Sequence, residues 1–167
     1  FARFLHDPGN PRTLSHNTVR AIYQDRAGVL WAGTPEGLNR FDREPGQFTR
    51  YMADPQNSDS LSSGDMLSIY EDRAGTLWVG TFGGGLSGLD PETGSFVNYG
   101  VQDGLPSAIV YAVLEENGGS GSPPGPLWLS TNGGLSRFDL DARTFTNYDV
   151  RDGLQSNEFN AGASFQS

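Results

Sequence analysis

The sequence predicts an all-β fold: a partial β-propeller of three full four-stranded antiparallel blades, with partial blades at both ends, forming an open arc of a seven-bladed ring. Two observations carry this. A motif centred on a Leu-Trp pair is written at residues 21–34, again at 68–81 and in a looser copy ending at 127–131, with Trp31, Trp78 and Trp128 spaced 47 and 50 residues apart. Self-similarity at such a period marks a repeat architecture. Each unit also holds four short runs of strand composition, in the second unit at 65–72, 76–81, 85–90 and 95–100, in which apolar positions alternate and Gly interrupts about every ten residues. That is the periodicity of strands rather than helices, and four strands per unit is the pattern of a propeller blade.

The elements follow in order. Residues 1–14 align at a constant offset of 47 with 48–61 and read as the end of a preceding blade. Blades are then expected at 15–52, 61–100 and 105–149, and 150–167 reads as the start of a further one, because Asp152-Gly153-Leu154 matches Asp103-Gly104-Leu105. On this reading the chain is a fragment of a longer protein, with two raw blade faces that need covering.

The first hairpin of each blade turns at Asp25-Arg26-Ala27-Gly28 or Asp72-Arg73-Ala74-Gly75. Asp can accept backbone amides at the start of such a turn, and Gly28 or Gly75 can close it. Asp25 and Asp72 are therefore read as turn caps rather than metal ligands or a glycosidase pair. Trp31, Trp78 and Trp128 are read as packing between adjacent blades rather than as sugar-stacking platforms. Residues 117–126 replace the tight turn of the third blade with a Gly/Ser/Pro loop about six residues longer, read as a tolerated surface insertion.

Composition narrows the function classes. A net charge of −9 with scattered basic residues excludes a nucleic-acid partner, since phosphate neutralisation needs clustered Lys and Arg. There is no Cys, hence no disulfide and no Cys-based zinc site. His6 and His16 are the only histidines. No Ser/His/Asp set or phosphate-cradling loop is present, so no catalytic residue, metal site or cofactor is assigned.

A strand ending in Asp, a Gly turn, Leu-Trp-x-Gly-Thr, then Gly-Leu and Phe-Asp together resemble the two-component regulator propeller repeat. The third copy departs from the pattern with Ser130 in place of Gly, which predicts slight local reshaping. The resemblance implies a sensor region of a bacterial hybrid two-component system, in which propellers precede a β-sandwich, a membrane span and a histidine kinase. It implies a periplasmic or extracellular location in a membrane-anchored, dimeric parent. The expected partners are adjoining blades, the β-sandwich domain and a small-molecule or oligosaccharide ligand, with no direct membrane contact. The kinase motifs lie outside the chain, so the fragment itself is read as non-catalytic.

In a propeller the blade-to-blade connections and the second-to-third-strand turns share one face, the natural binding surface. That places Glu36, Phe82 and Asn132 with Asp103, Asp152, Asn157 and Asn160, a mix of carboxylates, amides and one aromatic suited to polar ligands. Two other classes stay open: a propeller enzyme of the streptogramin-lyase type, whose repeats also carry a Gly-x-x-Trp core, and a purely structural scaffold.

Overall fold

The computed structural model describes residues 3–90, 92–116 and 124–159. They form three four-stranded antiparallel sheets, each a simple meander. Blade 1 comprises β1 (Ala21–Gln24), β2 (Leu30–Thr34), β3 (Gly37–Asp42) and β4 (Gln47–Tyr51). Blade 2 comprises β5 (Met66–Glu71), β6 (Leu77–Thr81), β7 (Leu86–Leu89) and β8 (Phe96–Tyr99). Blade 3 comprises β9 (Val110–Glu115), β10 (Leu127–Thr131), β11 (Gly134–Asp139) and β12 (Thr144–Tyr148). Residues 3–20 contain no strand; Phe4 instead packs edge-on against Phe41 and Phe48 of blade 1.

The repeated residues explain why each unit closes into hairpins. At the β1–β2 turn, the Asp25 carboxylate accepts the Val29 amide at 2.8 Å, and Asp72 accepts that of Thr76 at 2.9 Å in the next blade. At the β2–β3 turn, the buried hydroxyls of Thr34, Thr81 and Thr131 donate to the carbonyls of Gly37, Gly85 and Gly134 at 3.1, 3.0 and 2.8 Å. The three glycines are needed for space: a Cβ there would lie 2.5, 2.3 and 2.2 Å from the carbonyl oxygens of Tyr51, Tyr99 and Tyr148.

Ser130 does not reshape the third blade. A one-residue bulge opposite Ser130–Thr131 leaves Tyr111 unpaired, but blade 2, which has Gly80 there, carries the same bulge at Leu67. The bulge recurs in blades 2 and 3, while β1 and β2 of blade 1 pair without a shift, so it does not come from Ser130.

The core lies between the sheets. Trp31 and Leu38 of blade 1 pack against Leu61, Met66, Leu77, Val79, Leu89 and Phe96 of blade 2 and its lead-in. Trp78 and Leu86 of blade 2 pack in the same way against Leu105, Val110, Val113, Leu127, Leu129 and Phe138. Fully burying such side chains contributes roughly 1.5–3 kcal/mol each, so the contact between blades outweighs anything within one thin sheet. Each connection contributes a buried wedge, Leu14, Leu61 or Leu105. Trp128 packs against Tyr148 with ring centroids 5.6 Å apart and tilted by 34° but stays half-buried, with no further sheet against it among the described residues.

Polar clamps join the blades as well. Glu71, at the end of β5, accepts the Arg26 amide from the β1–β2 turn of blade 1 at 2.8 Å and pairs with its guanidinium at 3.3 Å. Glu115, at the end of β9, accepts the Arg73 amide of blade 2 at 3.0 Å. Gln24 holds the corresponding position in blade 1.

Candidate functional site

At one end of the sheets the β2–β3 turns meet the blade-to-blade connections, as expected from the meander order. The Phe82 amide donates to the Asp65 carbonyl at 2.8 Å and the Gly83 amide to that of Ala108 at 3.0 Å, which fixes the second blade's turn against the connections on either side. Phe82 is left 51% exposed. Glu36 and Asn132 stand exposed on the corresponding turns of blades 1 and 3, and neither side chain hydrogen-bonds among the described residues.

Asp103, Asp152 and Asn157 lie on the same face but are engaged with the backbone. Asp103 accepts the Gly100 amide at 2.7 Å and Asp152 the Asp149 amide at 2.9 Å, each closing a one-turn 3-10 helix, Val101–Asp103 and Val150–Asp152. Asn157 accepts the Val150 amide at 2.8 Å. Asn160 falls outside the described residues. The structure thus leaves Glu36, Phe82 and Asn132 free at the turn tips, while Asp103, Asp152 and Asn157 shape the loops around them.

The Trp residues have a partner that sequence reasoning missed. Trp31 Nε1 donates to Asp25 at 2.8 Å, Trp78 Nε1 to Asp72 at 2.7 Å, and Trp128 Nε1 to Glu116, the residue at the same repeat position, at 3.1 Å. The acid–Trp spacing of six residues in the first two copies carried the signal.

A second site-like feature lies at the opposite end of the sheets, between blades 2 and 3. A cleft of about 720 Å³ is walled by Trp78, Val97, Tyr99 and Leu140 and rimmed by Asp90, Glu92, Asp141 and Arg143. The equivalent cleft between blades 1 and 2, lined by Trp31 and Arg40, is only about 220 Å³. Cross-strand pairing gives the reason: Trp31 faces Arg40 and Trp128 faces Arg137, but Trp78 faces Gly88. The long side chain that stands across from the Trp in the sister blades is missing here, and the indole sits so close that a Cβ on Gly88 would lie 2.8 Å from it. At the rim, the backbone amide of Glu92 and then the Thr93 hydroxyl hold the Asp90 carboxyl below the usual carboxylate range.

Among the described residues, no group of three or more His, Asp or Glu side chains is gathered as metal ligands would be. No helix among the described residues is long and apolar enough to cross a membrane.

Residues 13–36 and 60–83 match the family model of the two component regulator propeller. No curated protein sequence matches the chain. Among solved structures, the chain resembles the extracellular domain of the hybrid two component system BT3049 from B. thetaiotaomicron, at 30% identity and a TM-score of 0.76 over 87% of this chain and 20% of that one. It likewise resembles the extracellular domain of BT4673 from the same organism, at 27% identity and a TM-score of 0.71 over 86% and 20%. PorZ, a surface component of the type-IX secretion system of Porphyromonas gingivalis, shares the fold at 19% identity, with a TM-score of 0.59 over 81% and 19%. The chain spans about a fifth of the length of these proteins. The matched segments, which carry the first two Leu-Trp copies, are two component regulator propeller repeats, and the third blade repeats their plan.

Proposed function

We propose that the chain is a ligand-sensing propeller segment from the extracytoplasmic sensor region of a hybrid two-component histidine kinase, and that it is non-catalytic itself. One observation carries this reading: 30% identity along 87% of the chain to the extracellular domain of such a system. The ligand is a small molecule or an oligosaccharide, met by Glu36, Phe82 and Asn132 on the face where the connections and β2–β3 turns come together. Signalling requires that the ligand favour one state of the receptor over another. Adjoining blades complete the ring, a β-sandwich passes the change onward, and the parent works as a dimer on the periplasmic or extracellular side of a membrane.

Calorimetric titration of the complete sensor region with oligosaccharides, alongside kinase output, tests the reading. Heat and changed output that Glu36→Ala, Phe82→Ala and Asn132→Ala abolish support it. Absence of both for every ligand class rejects it. The backbone engagement of Asp103, Asp152 and Asn157 favours a second reading, a scaffold that only holds neighbouring domains apart. Unchanged signalling in the triple Ala variant of the three free turn residues is its signature.

A further inference from the structure

We infer that the cleft between blades 2 and 3 binds a small organic cation with a flat or aliphatic body, on the face opposite the proposed sensing surface. The inference does not depend on the sensor reading. It starts from a position at which the second blade departs from the other two. Arg40 and Arg137 stand across from the Trp in blades 1 and 3, and Gly88 replaces them in blade 2. The result is a cleft about three times the volume of its counterpart, within the ~300–1,000 Å³ of small-molecule sites.

Its walls and its mouth ask for different chemistry. Inside, Trp78 is only 6% exposed and forms the buried back of the cleft, its ring centroid 6.2 Å from that of the half-buried Tyr99, and Val97, 52% exposed, flanks them. The Trp78 N–H is already committed to Asp72, so the indole is fixed in place and has no donor left for a ligand. The surface left to a ligand is therefore Val97, Leu140 and the ring of Tyr99, whose phenolic O–H is the side-chain donor among them; it favours an apolar body, or a cation set against the Tyr99 ring.

The mouth sets the charge. Asp90, Glu92 and Asp141 face one guanidinium, Arg143. The Glu92 and Asp141 side chains make no hydrogen bond or ion pair among the described residues, whereas Asp90 is occupied by its own turn. Arg143 is likewise unpaired among the described residues, but it stands alone against three carboxylates. The field at the mouth is therefore negative, which attracts cations and repels anions. The sister cleft is the built-in control: there the position opposite Trp31 is taken by the protein's own cation, Arg40. The occupant proposed for the second cleft supplies, from outside, the kind of group that the neighbouring blades supply themselves.

The test uses the full 167-residue chain. The cleft opens at the junction of two blades rather than on an outer blade face, so association through the outer faces leaves it accessible. The probes are 2-phenylethylamine, its neutral analogue 2-phenylethanol and the anion 3-phenylpropionate, followed by NMR of the Trp indole and Val methyl signals. The amine should shift Trp78 and Val97 while sparing Trp31 and Trp128, and bind about tenfold tighter than the alcohol at low salt, as expected for a cation over an aromatic face beside carboxylates. Glu92→Gln with Asp141→Asn, both at exposed positions, should remove most of that difference and its salt dependence. Val97→Arg, at an exposed position on the cleft wall, puts a cation into the cleft without crowding the indole and should weaken amine binding about tenfold or more, with folding verified by circular dichroism. Equal or tighter binding of the alcohol or the anion overturns the proposal. So do shifts confined to Trp31 or Trp128, and so does the absence of any shift at millimolar amine in the folded chain.

Discussion

Asp72 and Trp78 are joined through the indole: one carboxylate oxygen accepts Trp78 Nε1 at 2.7 Å, while the other accepts the Thr76 amide at 2.9 Å. A single buried acid therefore ties the first hairpin of blade 2 to the side chain that packs against blade 3. Asp25 makes the same two bonds in blade 1. Turn formation and blade docking are thus coupled through one carboxylate.

Asp72→Ala should lower stability by about 3 kcal/mol, because an indole N–H and an amide lose their acceptor in a buried place at roughly 1–3 kcal/mol each. Asp25→Ala, at a half-buried position, should cost about half as much. Urea unfolding of the two variants side by side reads the difference, and equal losses would contradict the role of burial.

The three Trp should not be equivalent despite their shared motif. Trp31→Ala and Trp78→Ala empty a core between blades and should each cost about 3–5 kcal/mol. Trp128→Ala removes a half-buried ring packed against Tyr148 and should cost about 1 kcal/mol. Denaturation midpoints of the single variants give the order.

Two glycines with positive φ separate backbone strain from collision. At Gly75 (φ 92°) an added Cβ would meet nothing within 4 Å, so Gly75→Ala should cost only the strain of a left-handed residue, about 1 kcal/mol. Gly85 (φ 77°) would drive a Cβ to 2.3 Å from the Tyr99 carbonyl, so Gly85→Ala should cost about 3 kcal/mol or more. Thermal melts of both variants test the contrast.

The turn after blade 3 should respond to acid. A side-chain hydrogen bond from Arg151, reinforced by the Arg151 backbone amide, holds the Asp149 carboxyl below its ordinary value of 3.8. A carboxyl lowered in the folded state adds stability above its unfolded pKa and loses it as pH falls through the folded one. The Val150–Asp152 turn should therefore loosen only on the acid side, and Asp149→Asn should remove that dependence. Amide shifts of Val150 and Arg151 across an acid titration report it.

The strands were legible because their signals are local. The run at 65–72 became Met66–Glu71 and that at 95–100 became Phe96–Tyr99, since alternation and turn residues act within a few positions. The packing role of Trp31 and Trp78 was also legible, as identical residues at identical positions in a repeat serve the contact that recurs. What escaped was of two kinds. The engagement of Asp103 and Asp152 depends on the backbone path of a 3-10 turn, which their spacing alone does not reveal. The cleft beside Trp78 arises from a difference among the copies, Gly88 against Arg40 and Arg137, and attention to what repeats passes over what does not.

The clamps formed by Glu71 and Glu115 give the arc a grammar. Blades 2 and 3 each end their first strand with an acceptor that grips the turn of the blade before, and blades 1 and 2 offer that turn to the blade after. Plug and socket travel together on one unit of about fifty residues. Copying such a unit adds a new junction already furnished on both sides, so an array of this kind can lengthen by duplication without inventing an interface, and can join its members in one direction only.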